Sequence, residues 1–216
     1  MVAGGSGRRF GGRKQFLQLA GRPVAAWSVA AARSVSDGIV LVVPDDAPAG
    51  GEADGREGAG LGADLVVVGG ASRADSVRAG LAVVPAEAEV IVVHDAARPL
   101  ADPATFAAVV DAVRVDGVDG AVPVLPVTDT LKRTVDGTVR STVDRDGLVT
   151  VQTPQAFTAT ALRNAYQGVG EATDDAGLLE LLGATVRTVP GDPRNVKLTR
   201  AEDLEMAEAL MSRVDR

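Results

Sequence analysis

A chain of 216 residues with 46% apolar and 24% charged residues has the composition of a folded protein, which sets disorder and collagen-like structure aside. A net charge of −7 argues against a nucleic-acid surface, which needs a basic face to displace counterions, and no apolar run approaches the ~18 residues of a membrane-spanning helix. With no cysteine and no basic stretch leading into an apolar one at the start, neither thiolate chemistry nor a secretory signal is read, and a cytoplasmic setting is expected.

Short β-branched runs alternate with amphipathic stretches along the chain. Residues 38–43 end at Pro44, residues 64–68 at Gly69-Gly70, and residues 89–93 at His94-Asp95. After its first residue each is continuously apolar, as buried parallel strands are. Helical patterns lie between them at 23–33, 73–84 and 103–114, the last with Asp102 placed to cap. Residues 45–63, rich in Gly, Ala and Asp, read as a surface connection. Residues 128–150 alternate polar residues with Val around Asp136-Gly137, a hairpin signal too polar for a core, and read as a projecting arm. Helices at 158–166, 174–182 and 200–212 and strands at 184–189 and 195–198 complete the pattern. No repeat or linker divides the chain, so one domain over 1–216 is expected. Strand–helix alternation implies a mostly parallel sheet with helices on both faces, and ligands on such sheets collect at the carboxyl ends of the strands.

The side chains near those ends suit phosphate chemistry. Gly4-Gly5-Ser6-Gly7-Arg8-Arg9-Phe10-Gly11-Gly12-Arg13-Lys14 combines glycines, which let amide groups approach an anion, with several cations; a basic N-terminal tail is the alternative. His94-Asp95-Ala96-Ala97-Arg98 ends a strand with a carboxylate and a cation three residues apart. It offers either a ligand pair or an ion pair closing the strand. His94, the one histidine, is read as structural. Gly69-Gly70-Ala71-Ser72-Arg73-Ala74-Asp75-Ser76 is a glycine turn entering a helix, suited to an anion or a base edge, or to ordinary capping. The chain holds 22 basic residues, of which only Lys14, Lys132 and Lys197 are lysines. No Ser-His-Asp set, cysteine nucleophile or His/Cys metal cluster is visible.

Taken together, these blocks resemble the 2-C-methyl-D-erythritol 4-phosphate cytidylyltransferase family. The resemblance rests on Gly5-x-Gly7-Arg8-Arg9 followed by Lys14-Gln15-Phe16-Leu17, on Gly70-x-x-Arg73-x-Asp75-Ser76-Val77, and on His94-Asp95-Ala96-Ala97-Arg98-Pro99. Asp129-Thr130-Leu131-Lys132, Val143-Asp144-Arg145, Gln152-Thr153-Pro154-Gln155, Thr173-Asp174-Asp175 and Asn195-Val196-Lys197-Leu198-Thr199 follow in family order. It implies a Rossmann-like nucleotidyltransferase sheet with a projecting β-arm, and transfer of CMP from CTP to methylerythritol phosphate with release of pyrophosphate, in non-mevalonate isoprenoid synthesis. It implies Mg²⁺ held mainly by the triphosphate, with Asp95 the one candidate protein ligand, and a homodimer joined through the arm.

By motif position, Arg9, Lys14 and Lys197 would neutralise charge during the attack. Ala3, Gly4, Gly5, Gly7, Gly70 and Ser76 would bind CTP, and Asp95, Arg98, Thr130, Arg145 and Thr153 would hold the acceptor, some of them from the partner subunit. The sequence departs from the family in the short spacer Phe10-Gly11-Gly12-Arg13 and in the two residues, Met1 and Val2, that stand where a first strand is expected. From the latter comes the expectation of several further apolar residues upstream. Ribitol 5-phosphate is the alternative acceptor. A nicotinamide dinucleotide oxidoreductase and a non-catalytic nucleotide-binding regulator are the alternatives of other classes.

Overall fold

The computed structural model describes residues 1–3, 14–44, 59–168 and 172–212. A 3-10 turn, Lys14–Phe16, leads into a tight hairpin of β1 (Gln18–Leu19) and β2 (Arg22–Pro23) and then into α1 (Val24–Arg33). There follow β3 (Val40–Val43), β4 (Leu65–Val68), α2 (Arg73–Leu81), β5 (Val90–Val93) and α3 (Pro103–Asp116). The second half holds β6 (Gly120–Pro126), β7 (Leu131–Val135), β8 (Thr138–Val143), β9 (Val149–Val151), β10 (Gln155–Thr158), α4 (Ala159–Gln167), α5 (Asp175–Glu180), β11 (Val186–Pro190) and α6 (Glu202–Met211).

The strands pair in two blocks joined by the first residues of the chain. β3 and β4 are parallel, and β5, β10, β6 and β11 lie side by side. Val2 bridges both blocks in parallel sense, to Val42 on one side and to Asp95 on the other. The resulting order is β4, β3, residue 2, β5, β10, β6, β11. Within it only β10 runs against the rest, being antiparallel to both β5 and β6. Met1 to Ala3 are held by backbone bonds on both sides: Val2 N–H to His94 O (2.8 Å), Ala3 N–H to Val42 O (2.8 Å) and Ala96 N–H to Val2 O (3.0 Å). Among the described residues, nothing bridges the two blocks beyond Met1. An apolar cavity of about 630 Å³ lies there, edged by Val40 and by Val90 and Val92, with Leu81 of α2 and Phe106 of α3 lining it.

Alternation along the strands sorts the core into two faces. Ile91 and Val93 pack with Val77, Leu162, Tyr166 and Leu179 of α2, α4 and α5. Val90 and Val92 point the other way, into the clusters built on α3, which also take in Val29 and Ala32 of α1. The starts of α2 to α5 are closed by side chains, which fixes the direction of each first turn. Ser72 and Asp75 form a reciprocal capping box on α2, and Asp102 accepts from Ala104 N–H across Pro103. Thr158 and Asp174 cap α4 and α5 by accepting from Ala161 and Gly177 N–H.

The structure differs from the sequence reading in the second half. β6, interrupted by Pro123, and the antiparallel β10 are strands that apolar runs did not announce. Residues 195–198, expected as a strand, form none. Asn195 is buried there with its Nδ2 donating to Thr153 O (2.9 Å), and Leu198 N–H goes to Ala97 O (2.8 Å). A segment whose bonds go to side chains and a turn has no ladder to join. The hairpin at 136–137 is present: β7 pairs β8, with Asp136 and Gly137 at φ of 48° and 75°. No helix among the described residues is long and apolar enough to cross a membrane.

Candidate active site

Four stretches meet at the carboxyl end of β5. The strand delivers His94 and Asp95 to the point where Val2 bridges it, so Ala3 follows beside Asp95. β9 and β10 pair in succession with β6, and the run breaks between them at residues 152–154, where Pro154 has no amide hydrogen to give. That break turns Thr153 towards β5, and its hydroxyl accepts from Asp95 N–H (3.1 Å) and lies 3.1 Å from His94 Nδ1. The irregular segment after β11 brings Lys197, whose Nζ is 2.6 Å from Asp95 Oδ2. From the start of α2, Arg73 reaches Asp95 Oδ1 with Nε (3.4 Å) and Asp175 Oδ2 with Nη2 (2.6 Å). Asp175 is fully buried, and the Tyr166 hydroxyl donates to its other oxygen.

The electrostatics follow from this crowding. Burial raises the Asp95 carboxyl, but Lys197 and Arg73 outweigh it and hold the group at about 2. Burial opposes the charge on Arg73, yet the hydrogen bond and charge of Asp175 raise it above its ordinary range. Tyr166 is raised by burial and by the Asp175 carboxylate. Burial brings His94 down to about 3, so the ring is neutral. Thr153, already accepting from Asp95, then donates to Nδ1, and Nε2–H faces Arg98 O (3.3 Å). His94 thus props the turn that carries Asp95 and Arg98.

The structure brings together Ala3, Asp95, Thr153 and Lys197, and ties Arg98 to the same segment through Asn195 O (2.8 Å). Gly70 and Ser76 form the neighbouring turn. Ser76 is buried, accepting from Gly70 N–H (3.3 Å) and donating to Ser72 O (3.0 Å). A Cβ on Gly70 would fall 2.3 Å from Asp75 Cβ, so this turn requires glycine against its own capping box. Arg9, Gly4, Gly5 and Gly7 lie outside the described residues. Lys14 begins the 3-10 turn, and its neighbour Gln15 is buried with Nε2 donating to Ala3 O (2.7 Å). Thr130 and Arg145 stand on the exposed arm, where Arg145 donates to Thr128 O at its base; no contact joins them to the Asp95 group among the described residues.

Sequence reading did not place Gln15, Asp175, Tyr166 or Asn195 in the site, and placed Arg73 only at a helix start. Arg73 and Asp175 are 102 residues apart, and nothing local links them. The available signal was that both fall within motif blocks. Among the described residues no group of three His, Cys, Asp or Glu side chains could hold a metal, and both Asp95 oxygens already face cations.

The profile of the family described as IspD, 2-C-methyl-D-erythritol 4-phosphate cytidylyltransferase, matches residues 1–213. A bifunctional enzyme IspD/IspF of Nitratidesulfovibrio vulgaris (strain DP4) is 45% identical over 229 residues, covering 97% of this chain and 56% of that protein. The chain therefore spans about half the length of such bifunctional relatives. A 2-C-methyl-D-erythritol 4-phosphate cytidylyltransferase of Saccharopolyspora erythraea is 52% identical over 153 residues, 68% of this chain and 67% of that protein. The crystal structure of the enzyme of that name from Thermus thermophilus superposes with a TM-score of 0.82 at 33% identity, covering 98% of this chain and 96% of the other. A profile match over nearly the whole length and a shared fold lead to one assignment: the chain belongs to the 2-C-methyl-D-erythritol 4-phosphate cytidylyltransferase family.

Proposed function

We propose that the chain transfers the cytidylyl group of CTP to 2-C-methyl-D-erythritol 4-phosphate, giving 4-CDP-2-C-methyl-D-erythritol and pyrophosphate in non-mevalonate isoprenoid synthesis. The observation that carries this reading is the Asp95 cluster, with Lys197, Arg73 and Thr153 converging at a strand end that Val2 bridges, in a chain of this family. An acceptor phosphate oxygen attacks the α-phosphorus in line, and the bond to the bridging oxygen breaks as pyrophosphate leaves. The reaction brings two polyanions together, so catalysis rests mainly on positioning and fixed cations, and no nucleophilic side chain is needed.

Arg9, Lys14 and Lys197 neutralise the charge that builds at the reacting phosphates, and the amides of Gly4, Gly5 and Gly7 cradle the triphosphate. Ala3, Gly70 and Ser76 border the nucleotide. Asp95, Arg98 and Thr153 hold the acceptor, with Thr130 and Arg145 supplied by the arm of a second copy in a homodimer. Mg²⁺ bound on the triphosphate would supply further charge neutralisation, and Asp95 would be the side chain that could contribute to holding it. The reading places the enzyme in the cytoplasm, with no nucleic-acid or membrane partner.

Incubation with CTP and Mg²⁺ plus each acceptor in turn, followed by pyrophosphate release, tests it. Turnover with methylerythritol phosphate is expected. Turnover with ribitol 5-phosphate alone would change the acceptor, and CTP binding without turnover on either would make the chain a nucleotide-binding regulator.

A further inference from the structure

Asp95 carries two cations with unequal tethers. Lys197 approaches from an irregular segment with its side chain 42% exposed. Arg73 approaches from the first residue of α2, and the far end of its guanidinium is fixed on the fully buried Asp175. Asp175 is itself held on three sides. It opens α5 behind the Asp174 cap, the Tyr166 hydroxyl donates to it, and Gln155 Oε1 accepts from the next amide, Ala176 N–H (3.3 Å). Moving Arg73 away would leave a buried carboxylate without its cation, which folded proteins strongly disfavour. Moving Lys197 away only transfers an accessible ammonium to another anion. A phosphate entering the site therefore competes for one of the two cations and not the other.

The consequence rests on the cytidylyltransferase reading above, in which Lys197 is needed at the reacting phosphates although here it is docked on Asp95. We propose that Arg73, anchored by Asp175 and Tyr166, is a positioning residue that keeps Asp95 in place for the acceptor while Lys197 passes from Asp95 to the incoming phosphate. In this arrangement Asp175 and Tyr166 touch no substrate and act on the reaction only through Arg73 and Asp95.

The test is a double-mutant cycle between Tyr166→Phe and Asp95→Asn. It is read by steady-state kinetics and by calorimetric binding of methylerythritol phosphate beside a CTP analogue that cannot transfer its cytidylyl group. Tyr166→Phe removes one hydrogen bond without leaving a charge unpaired, so the fold is retained. It is expected to weaken acceptor binding and kcat/KM for the acceptor about threefold to tenfold, with KM for CTP unchanged. Arg73→Gln combined with Asp175→Asn, which removes both charges together, is expected to cost about 100-fold in the same parameter. In the Asp95→Asn background the effect of Tyr166→Phe should shrink to less than about twofold, because the residue it acts through is gone. An undiminished effect in that background, or an equal change in KM for CTP, would overturn the positioning role while leaving the activity standing. A wild-type protein that releases no pyrophosphate with methylerythritol phosphate would overturn the activity and the proposal with it.

Discussion

Lys14 and His94 bear on separate properties, one on turnover and one on stability. Lys14 follows the glycine-rich loop, and its turn is tied to Ala3 through Gln15. Lys14→Ala is expected to lower turnover about 10²–10³-fold with CTP affinity little changed, since the resting triphosphate keeps its other contacts and the crowded transition state loses a fixed charge. Turnover within threefold of wild type would remove Lys14 from the proposed set. His94 governs stability rather than chemistry. Burial holds the folded ring at about 3, whereas the unfolded ring titrates near 6.5, so the unfolded chain takes up the proton first as the pH falls. The stability due to neutral His94 is complete above pH 6.5 and drains away towards pH 3, reaching a loss of roughly 3 kcal/mol at pH 4.5. Urea midpoints between pH 7.5 and 4.5 should fall more steeply for wild type than for His94→Asn. Equal slopes would contradict this account.

Among the elements, the arm is the one that cannot be explained by its own fold. β7 and β8 pair with each other, and Val135 and Val139 remain 47% and 58% exposed; Val149 and Val151 of β9 at its base are exposed too. A two-stranded ribbon is marginal in water without another surface to cover it. A second copy related by a two-fold axis is the expected cover. Sedimentation at micromolar concentration should therefore give the mass of a dimer, and Val139→Asp should weaken association at least about tenfold while lowering turnover in parallel. A monomer with full activity would refute both the dimer and a shared active site. The other elements are held locally: a capping box and single caps start α2, α3, α4 and α5, and Gly117, with φ of 65°, ends α3 in the left-handed conformation that favours glycine.

Over the whole molecule, the two strand blocks are joined along residues 1–3 and separated by the apolar cavity ahead of them. The cavity has the character of a strand position. β-Branched side chains border it on both faces, and the backbone of Val40 already gives its carbonyl to the Met1 amino group (2.9 Å) on that side. Adding four or five alternating Val and Ala residues before Met1 should fill it, burying apolar surface and pairing backbone on both edges. The expected gain of a few kcal/mol corresponds to a rise in Tm of about 5–10 °C for a domain of this size. An unchanged Tm would mean that the cavity does not accept a strand.

The residues alone determined what depends on short-range order. Apolar runs of four or five residues located β3, β4 and β5, Asp102 marked the start of α3, and Asp136-Gly137 located the arm's turn. The cations and glycines, with no nucleophile beside them, indicated phosphate chemistry. Tertiary structure alone decided what depends on a partner distant in the chain. β6 is a strand despite Pro123 because β10 and β11 flank it, and 195–198 is not a strand because its polar groups are taken by Thr153 and Ala97. The pairing of Asp95 with Lys197, and of Arg73 with Asp175, spans 102 residues in each case. Such contacts arise from closure of the sheet, and no local pattern encodes which distant carboxylate a given cation will meet.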